Sequence, residues 1–191
     1  MANIIDQFST LVEMSRANAV PVLQLLGVLW AVHCVNWLVG YRLNILGLLP
    51  RSVPGVLGIF FMPFLHGDFG HLLANSVPFF VLVNMLVLKS WAFFWSVTFH
   101  IVVISGVALW CFGRRAIHIG ASGLNMGYMG YLLADVYFHP SFTAVVLGVL
   151  ALYYFGTMLV GVIPMGRRES WEGHLFSLLA GIGVAYWSFF L

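Results

Sequence analysis

The charged residues of this 191-residue chain are few and widely spaced, and their spacing limits the possible folds more than any motif does. Charged side chains make up 7% of the sequence, against about 25% in a soluble domain, and 62% of the residues are hydrophobic. About 20 apolar residues cross the roughly 30 Å hydrocarbon core of a bilayer as a helix. Six uncharged stretches reach about that length: residues 17–41, 69–88, 90–113, 116–134, 136–166 and 173–191. The sequence therefore predicts an all-α integral membrane protein built as a bundle of six transmembrane helices.

These stretches set the expected domain plan. We expect one domain over residues 1–191, with transmembrane helices at about 18–40, 70–88, 91–110, 121–138, 142–163 and 172–191. The segment 41–69 is also apolar, but Pro54 and Pro63 interrupt it, and proline breaks helices because it lacks an N–H donor. We therefore expect a long interfacial or re-entrant loop there, before the second transmembrane helix.

The same composition excludes several classes of partner. The net charge of +2 is small and dispersed, so we expect no nucleic-acid binding. The two cysteines have no ligand spacing. His66 and His71 have only one carboxylate nearby, Asp68, which makes a weak ligand set, so we expect neither a metal nor another cofactor. The oligomeric state is left open.

Polar residues lie near the starts of the second, fourth and sixth predicted helices, which cross the membrane in the same direction. His71 and Asn75 are four residues apart and share one helix face. Ser122 opens the fourth helix, and His174 lies near the start of the sixth. Polar side chains inside a membrane are costly and usually functional. We expect these four side chains to converge at similar depth near one membrane face.

A serine and a histidine at one depth indicate a nucleophile with a general base. A carboxylate partner is not evident. Asp135 lies 13 residues after Ser122, roughly 20 Å along a helix, and Glu172 lies two residues before His174, on another side of its helix. The pattern therefore predicts a catalytic dyad.

The same helix start offers donors for an oxyanion. The amides of Ser122 and Gly123 have no intrahelical acceptor at a helix N-terminus, where the helix dipole is positive. His71 and Asn75 add side-chain donors. We therefore expect an oxyanion site beside the serine.

Small residues on the fourth and sixth helices predict close packing between them. Gly123, Gly127 and Gly130 form a stripe of the kind that lets two transmembrane helices approach closely. Ser177 and Gly181 lie three and seven residues after the histidine, beside it on its own helix surface. We expect these two faces to meet.

Together these residues resemble the rhomboid intramembrane serine proteases, in particular the compact six-helix bacterial type. The resemblance covers nearly the whole chain. Each motif alone is weak, including the tetrapeptide at 120–123, and their combination with six transmembrane helices is what is specific. It implies that Ser122 attacks a peptide carbonyl and that His174 is the base. It also implies an oxyanion and substrate-binding site formed by His71, Asn75, Gly120, Gly123 and, at its edge, His66.

The resemblance further implies a biological setting. The substrates would be transmembrane proteins cut near one end of their membrane span, within the lipid bilayer. The protein would be a multi-pass protein of the bacterial inner membrane, with both termini cytoplasmic and the active site toward the extracytoplasmic side. Counting arginines gives the opposite orientation, because most of them fall on the face that carries the site.

Other expectations from the family concern the surroundings of the dyad. The fifth helix and the loop 164–171 would act as a lateral gate and cap. Met126 replaces a tyrosine that packs on the histidine in relatives, and a thioether can also contact a ring edge. The alternative from another class is a non-catalytic membrane protein that binds transmembrane helices or passes a small solute.

Overall fold

The helices lie close to the positions that the charge spacing predicts, with one additional helix. A computed structural model describes residues 3–164 and 170–188. The predicted gate loop 164–171 falls mostly outside those residues, as does the predicted end of the last helix at 189–191. The described residues form seven α-helices: α1 (Ile4–Leu38), α2 (Val53–Phe61), α3 (Phe69–Val87), α4 (Trp91–Phe112), α5 (Ser122–Phe138), α6 (Phe142–Phe155) and α7 (Trp171–Ser188). Three short 3-10 helices span Arg42–Leu46, Met62–Phe64 and Gly156–Val162.

Helix α2 occupies the middle of the segment 41–69, where we expected an interfacial or re-entrant loop interrupted by Pro54 and Pro63. Pro54 lies in the first turn of α2, where a missing N–H costs nothing. The Ser52 hydroxyl caps that turn by accepting from the Gly55 amide at 3.1 Å. The proline that the sequence indicated as a helix breaker therefore starts a helix.

The first helix is also longer than predicted, since it begins at Ile4 and not near residue 18. A capping box fixes its start: the Asn3 side chain accepts backbone amides, and the Asp6 carboxylate accepts from the Asn3 amide at 3.2 Å. Arg16, which precedes the uncharged stretch, and Glu13 are good helix formers and do not interrupt the helix.

Within residues 3–164 and 170–188, four helical segments are long and apolar enough to cross a membrane, which identifies an integral membrane protein. They are Ile4–Leu38, Phe69–Val87, Trp91–Phe112 and Phe142–Val162, the last formed by α6 and its 3-10 continuation. Helices α5 and α7 have 17 and 18 residues. Much of α5 is buried against other helices, so it needs less apolar surface toward lipid.

The small residues bring α5 and α7 into the most extensive helix contact in the described part of the chain. Gly123 faces Ser177, and a Cβ atom built on Gly123 would stand 3.1 Å from the serine oxygen. Gly181 of α7 lies against the carbonyl oxygen of Gly127, which a Cβ atom there would overlap. The predicted meeting of the two faces is found, and it brings the start of α5 beside the start of α7.

A charged cluster lies at the opposite end of α5. Lys89 Nζ is 2.7 Å from an Asp135 carboxylate oxygen, and the Tyr131 hydroxyl donates to the same oxygen at 3.0 Å. His139 Nδ1 lies 3.0 Å from it as well. The buried aspartate is therefore paired, and it serves the packing of this end of the bundle.

Candidate active site

A cavity of about 1000 Å³ lies where the starts of α3, α5 and α7 come together. Five elements line it: α3, the segment before α5, the first turns of α5, the 3-10 helix after α6, and the start of α7. The lining includes His71, Asn75, Ser122, Met126 and His174. The four polar side chains that the sequence expects to converge are thus brought to one space, with Met126 beside them.

The serine and the second histidine are hydrogen-bonded across this space. Ser122 Oγ lies 2.9 Å from His174 Nε2, although 52 residues separate them in the chain. Ser122 opens α5, and the His174 amide donates to the Ser170 carbonyl oxygen in the first turn of α7. Both side chains therefore project from helix starts, whose backbone is fixed by the packing of α5 on α7.

The other nitrogen of His174 determines which tautomer faces the serine. His174 Nδ1 lies 3.0 Å from the carbonyl oxygen of Gly161, in the 3-10 helix that follows α6. A carbonyl oxygen can only accept, so Nδ1 carries the proton and Nε2 is left as an acceptor for the serine hydroxyl. This is the tautomer that a general base requires.

Neither of the carboxylates considered as a third member binds His174. Glu172 is nearly buried, and its Oε1 lies 3.8 Å from the guanidinium Nε of Arg114. Asp135 belongs to the cluster at the other end of α5. The orienting acceptor is a backbone carbonyl, which supplies a hydrogen bond without a full negative charge.

His71 and Asn75 present polar atoms to the cavity from α3. The Gly67 amide donates to His71 Nδ1 at 3.5 Å, which puts the ring proton on Nε2, the nitrogen that faces Gly120. Asn75 Nδ2 donates to the backbone carbonyl oxygen of His71 at 2.9 Å, and the side-chain Nδ2 of Asn125 donates to Asn75 Oδ1 at 3.4 Å. Neighbouring polar atoms thus hold both side chains in place.

The backbone amides before and at the start of α5 divide into two groups. The Gly120 amide donates to the Met62 carbonyl oxygen at 2.9 Å, so the structure does not offer it as an oxyanion donor. The amides of Ser122 and Gly123 follow in the first turn of α5, where a helix has no carbonyl acceptor for them. The donors beside the serine are therefore those two amides.

Gly120 is required by its conformation. Its φ of +119° is one that other residues rarely adopt, and a Cβ atom there would stand 2.8 Å from His71 Nε2. The glycine thus allows the chain to pass close to the histidine before it turns into α5.

His66 lies behind the site and does not line the cavity. Its ring packs edge-on against His71 with 5.1 Å between ring centroids, and its Nε2 accepts from the Ala121 amide at 3.4 Å. Burial, helped by the neighbouring His71, lowers the pKa of His66 to about 4. A neutral His66 therefore supports the segment that leads into Ser122.

Three residues of the site are not indicated by the sequence. The sequence of the fifth predicted helix indicated no functional residue, yet the Gly161 carbonyl oxygen near its end accepts the hydrogen bond from His174 Nδ1. Asn125 binds Asn75, and its position three residues after the serine, on the same helix, is the one signal that points to it. His118 is buried beside the start of α7 and belongs to no motif in the sequence.

Comparison with known proteins finds a matching family and several similar chains. A family model described as the Rhomboid domain matches residues 54–189. An uncharacterized protein of Mycobacterium bovis and one of Mycobacterium tuberculosis are each 32% identical over 174 residues, which cover 86% of this chain and 72% of the relative. An uncharacterized protein of Mycobacterium leprae is 31% identical over 178 residues, covering 88% of this chain and 70% of the relative. The names of these relatives assign no activity.

Proposed function

Because the chain belongs to the rhomboid family, we propose that it is an intramembrane serine endopeptidase that hydrolyses transmembrane proteins near the membrane surface. The observation that carries this proposal is the 2.9 Å hydrogen bond from the Ser122 hydroxyl to Nε2 of His174, whose Nδ1 proton is held by Gly161. A serine activated by an oriented base is a nucleophile for acyl transfer.

In the first step Ser122 Oγ attacks the peptide carbonyl and its proton passes to His174 Nε2. The imidazolium then forms between the serine and the Gly161 carbonyl, which continues to accept from Nδ1. His174 gives the proton to the leaving amine, and an acyl group remains on Ser122. Water, activated by the same histidine, then releases the acyl group as a carboxylic acid.

The developing oxyanion needs donors on the cavity side of Ser122. The amides of Ser122 and Gly123, with the Nε2 proton of His71 and an amide proton of Asn75, surround that position in our proposal. Losing one such donor typically costs about 3 kcal/mol of transition-state stabilisation. Helix N-termini also favour negative charge, which adds to these hydrogen bonds.

The proposal extends to membrane topology. We take α1, α3, α4, α5, α6 and α7 as six crossings of the bacterial inner membrane, with both termini cytoplasmic and the active site on the extracytoplasmic side. Single cysteines at 138–141 and at 165–168, in a variant without the two native cysteines, test this in intact cells. We expect an impermeant thiol reagent to label only the cysteines at 165–168. Labelling of the cysteines at 138–141 from outside would mean that the protein has the opposite orientation in the membrane.

The catalytic proposal is tested with purified protein and a transmembrane reporter. We expect Ser122→Ala and His174→Ala each to abolish cleavage and reaction with a fluorophosphonate, because the first removes the nucleophile and the second its base. Thermal unfolding in detergent checks that both variants remain folded.

Two results would contradict the mechanism. Cleavage that persists in Ser122→Ala would exclude a serine nucleophile. A wild-type protein that neither cleaves reporters nor reacts with the fluorophosphonate would instead indicate a non-catalytic protein that binds transmembrane helices.

A further inference from the structure

The side chain of His118 makes two hydrogen bonds that the proposed reaction does not use. The residue is 3% exposed and lies four positions before Ser122. Its Nδ1 is 2.6 Å from the Ser170 hydroxyl, and its Nε2 is 3.1 Å from the carbonyl oxygen of Arg114. A buried imidazole with both nitrogens engaged is held in one orientation.

The two partners determine the protonation of this ring. The Arg114 carbonyl can only accept, so Nε2 carries a proton, and in the neutral ring Nδ1 accepts from the Ser170 hydroxyl. Burial lowers the pKa of His118, which favours the neutral ring at neutral pH. The hydrogen bond therefore has a defined direction, from Ser170 to His118.

These bonds connect the two segments that carry the dyad. The backbone of His118 pairs with that of Leu48 through hydrogen bonds of 2.8 and 3.0 Å, which fixes the segment before α5 to the first loop. Ser170 directly precedes α7, and its carbonyl oxygen accepts from the His174 amide at 3.0 Å. A short chain of bonds thus runs from the first loop through His118 to the backbone of His174.

We propose that His118 is a positioning residue that, through Ser170, holds the start of α7 against the segment leading into Ser122. The hydroxyl of Ser122 and the imidazole of His174 then meet at 2.9 Å because their backbones are joined at a second point, four residues before each of them. The catalytic part of this inference rests on the proposed function, and the structural part does not.

The test compares four variants of the whole chain in proteoliposomes. We expect His118→Gln and Ser170→Ala each to lower kcat about tenfold, as the loss of one neutral hydrogen bond predicts, with KM changed less than twofold. The double variant should be no slower than either single variant, because both remove the same bond. His118→Asn, which keeps an acceptor near the Nδ1 position, should recover most of kcat.

A matched control separates positioning from general stability. Thr98 and Tyr128 form a similar hydrogen bond of 2.9 Å between α4 and α5, away from the cavity lining. We expect Thr98→Val to lower the melting temperature as much as Ser170→Ala while kcat stays at the wild-type value. An unchanged kcat in His118→Gln, or losses that multiply in the double variant, would overturn the proposal.

A second measurement does not depend on activity. Amide hydrogen exchange in the peptide that contains His174 should be faster in His118→Gln and Ser170→Ala than in the wild type, and unchanged in Thr98→Val. Unchanged exchange in the first two variants would overturn the inference even if the protein is a protease. If exchange is faster in these two variants but the wild-type chain has no protease activity, the proposed function would be overturned and the structural link kept.

Discussion

Gly181 of α7 lies closer to the backbone of α5 than a methyl group allows. A Cβ atom there would overlap the carbonyl oxygen of Gly127 and stand 2.8 Å from the amide nitrogen of Tyr131. Contacts of a carbon atom are ordinarily about 3.5 Å or longer, and helix backbone cannot rotate aside as a side chain can. Gly181→Ala should therefore separate the two helices by about 1 Å at this point.

That separation should reach the dyad. His174 lies seven residues before Gly181 on the same helix, about 10 Å along its axis. A shift of α7 by about 1 Å lengthens the 2.9 Å distance between Ser122 Oγ and His174 Nε2 beyond hydrogen-bond range. Misplacement of this size costs roughly 100-fold in rate, or about 2.7 kcal/mol. Overpacking should also lower the free energy of unfolding by about 1–3 kcal/mol.

The assay is cleavage of a transmembrane reporter in proteoliposomes, with the melting temperature measured in parallel. Gly183→Ala is the matched control, since a Cβ atom on this glycine of the same helix meets nothing within 4 Å. It should keep the wild-type rate and can gain up to about 1 kcal/mol of helix stability. Wild-type kcat in Gly181→Ala would refute the packing argument, and an equal loss in both variants would assign the effect to helix stiffness.

Three further predictions concern other parts of the fold. Gly161→Ala places a methyl group 2.8 Å from Nδ1 of the proposed base, so the cleavage rate should fall about 100-fold. In the control Gly156→Ala the methyl group lies 3.4 Å from a leucine methyl, and the wild-type rate should be kept. Equal rates in the two variants would contradict the orienting role of the Gly161 carbonyl. Lys89→Met removes the lysine cation from the buried Asp135 and should lower the free energy of unfolding by about 3 kcal/mol. Adding Asp135→Asn should restore part of that loss, and an unchanged melting temperature would show that the ion pair adds nothing. The folded pKa of His66, about 4 against 6.5, means that the unfolded chain binds the additional proton, so stability should fall by roughly 3 kcal/mol from pH 6.5 toward pH 4. His66→Phe should reduce that slope in the melting temperature, while the buried His118 keeps its own smaller part of it, and an unchanged slope would assign the effect to other groups.

The hydrophobic pattern predicted helix positions well where the bilayer fixes them. The second transmembrane helix was expected at 70–88 and spans Phe69–Val87. In the first loop, Pro54 starts α2 where we expected it to interrupt a helix, because a proline breaks a helix interior but suits a first turn. For Pro54, only the helix cap formed by Ser52 shows that the proline lies in a first turn and not in a helix interior.

The sequence by itself determined the membrane-embedded bundle, the face on which Ser122 and His174 lie, and the small residues that let their helices meet. These follow from local properties: charge spacing, helical periodicity and side-chain size. Only the tertiary structure decided which atom orients the histidine and which side chain secures its helix. The Gly161 carbonyl has no side-chain signature, because every residue carries a carbonyl group. The bond between His118 and Ser170 joins residues 52 positions apart, and it exists only because α7 packs on the segment before α5.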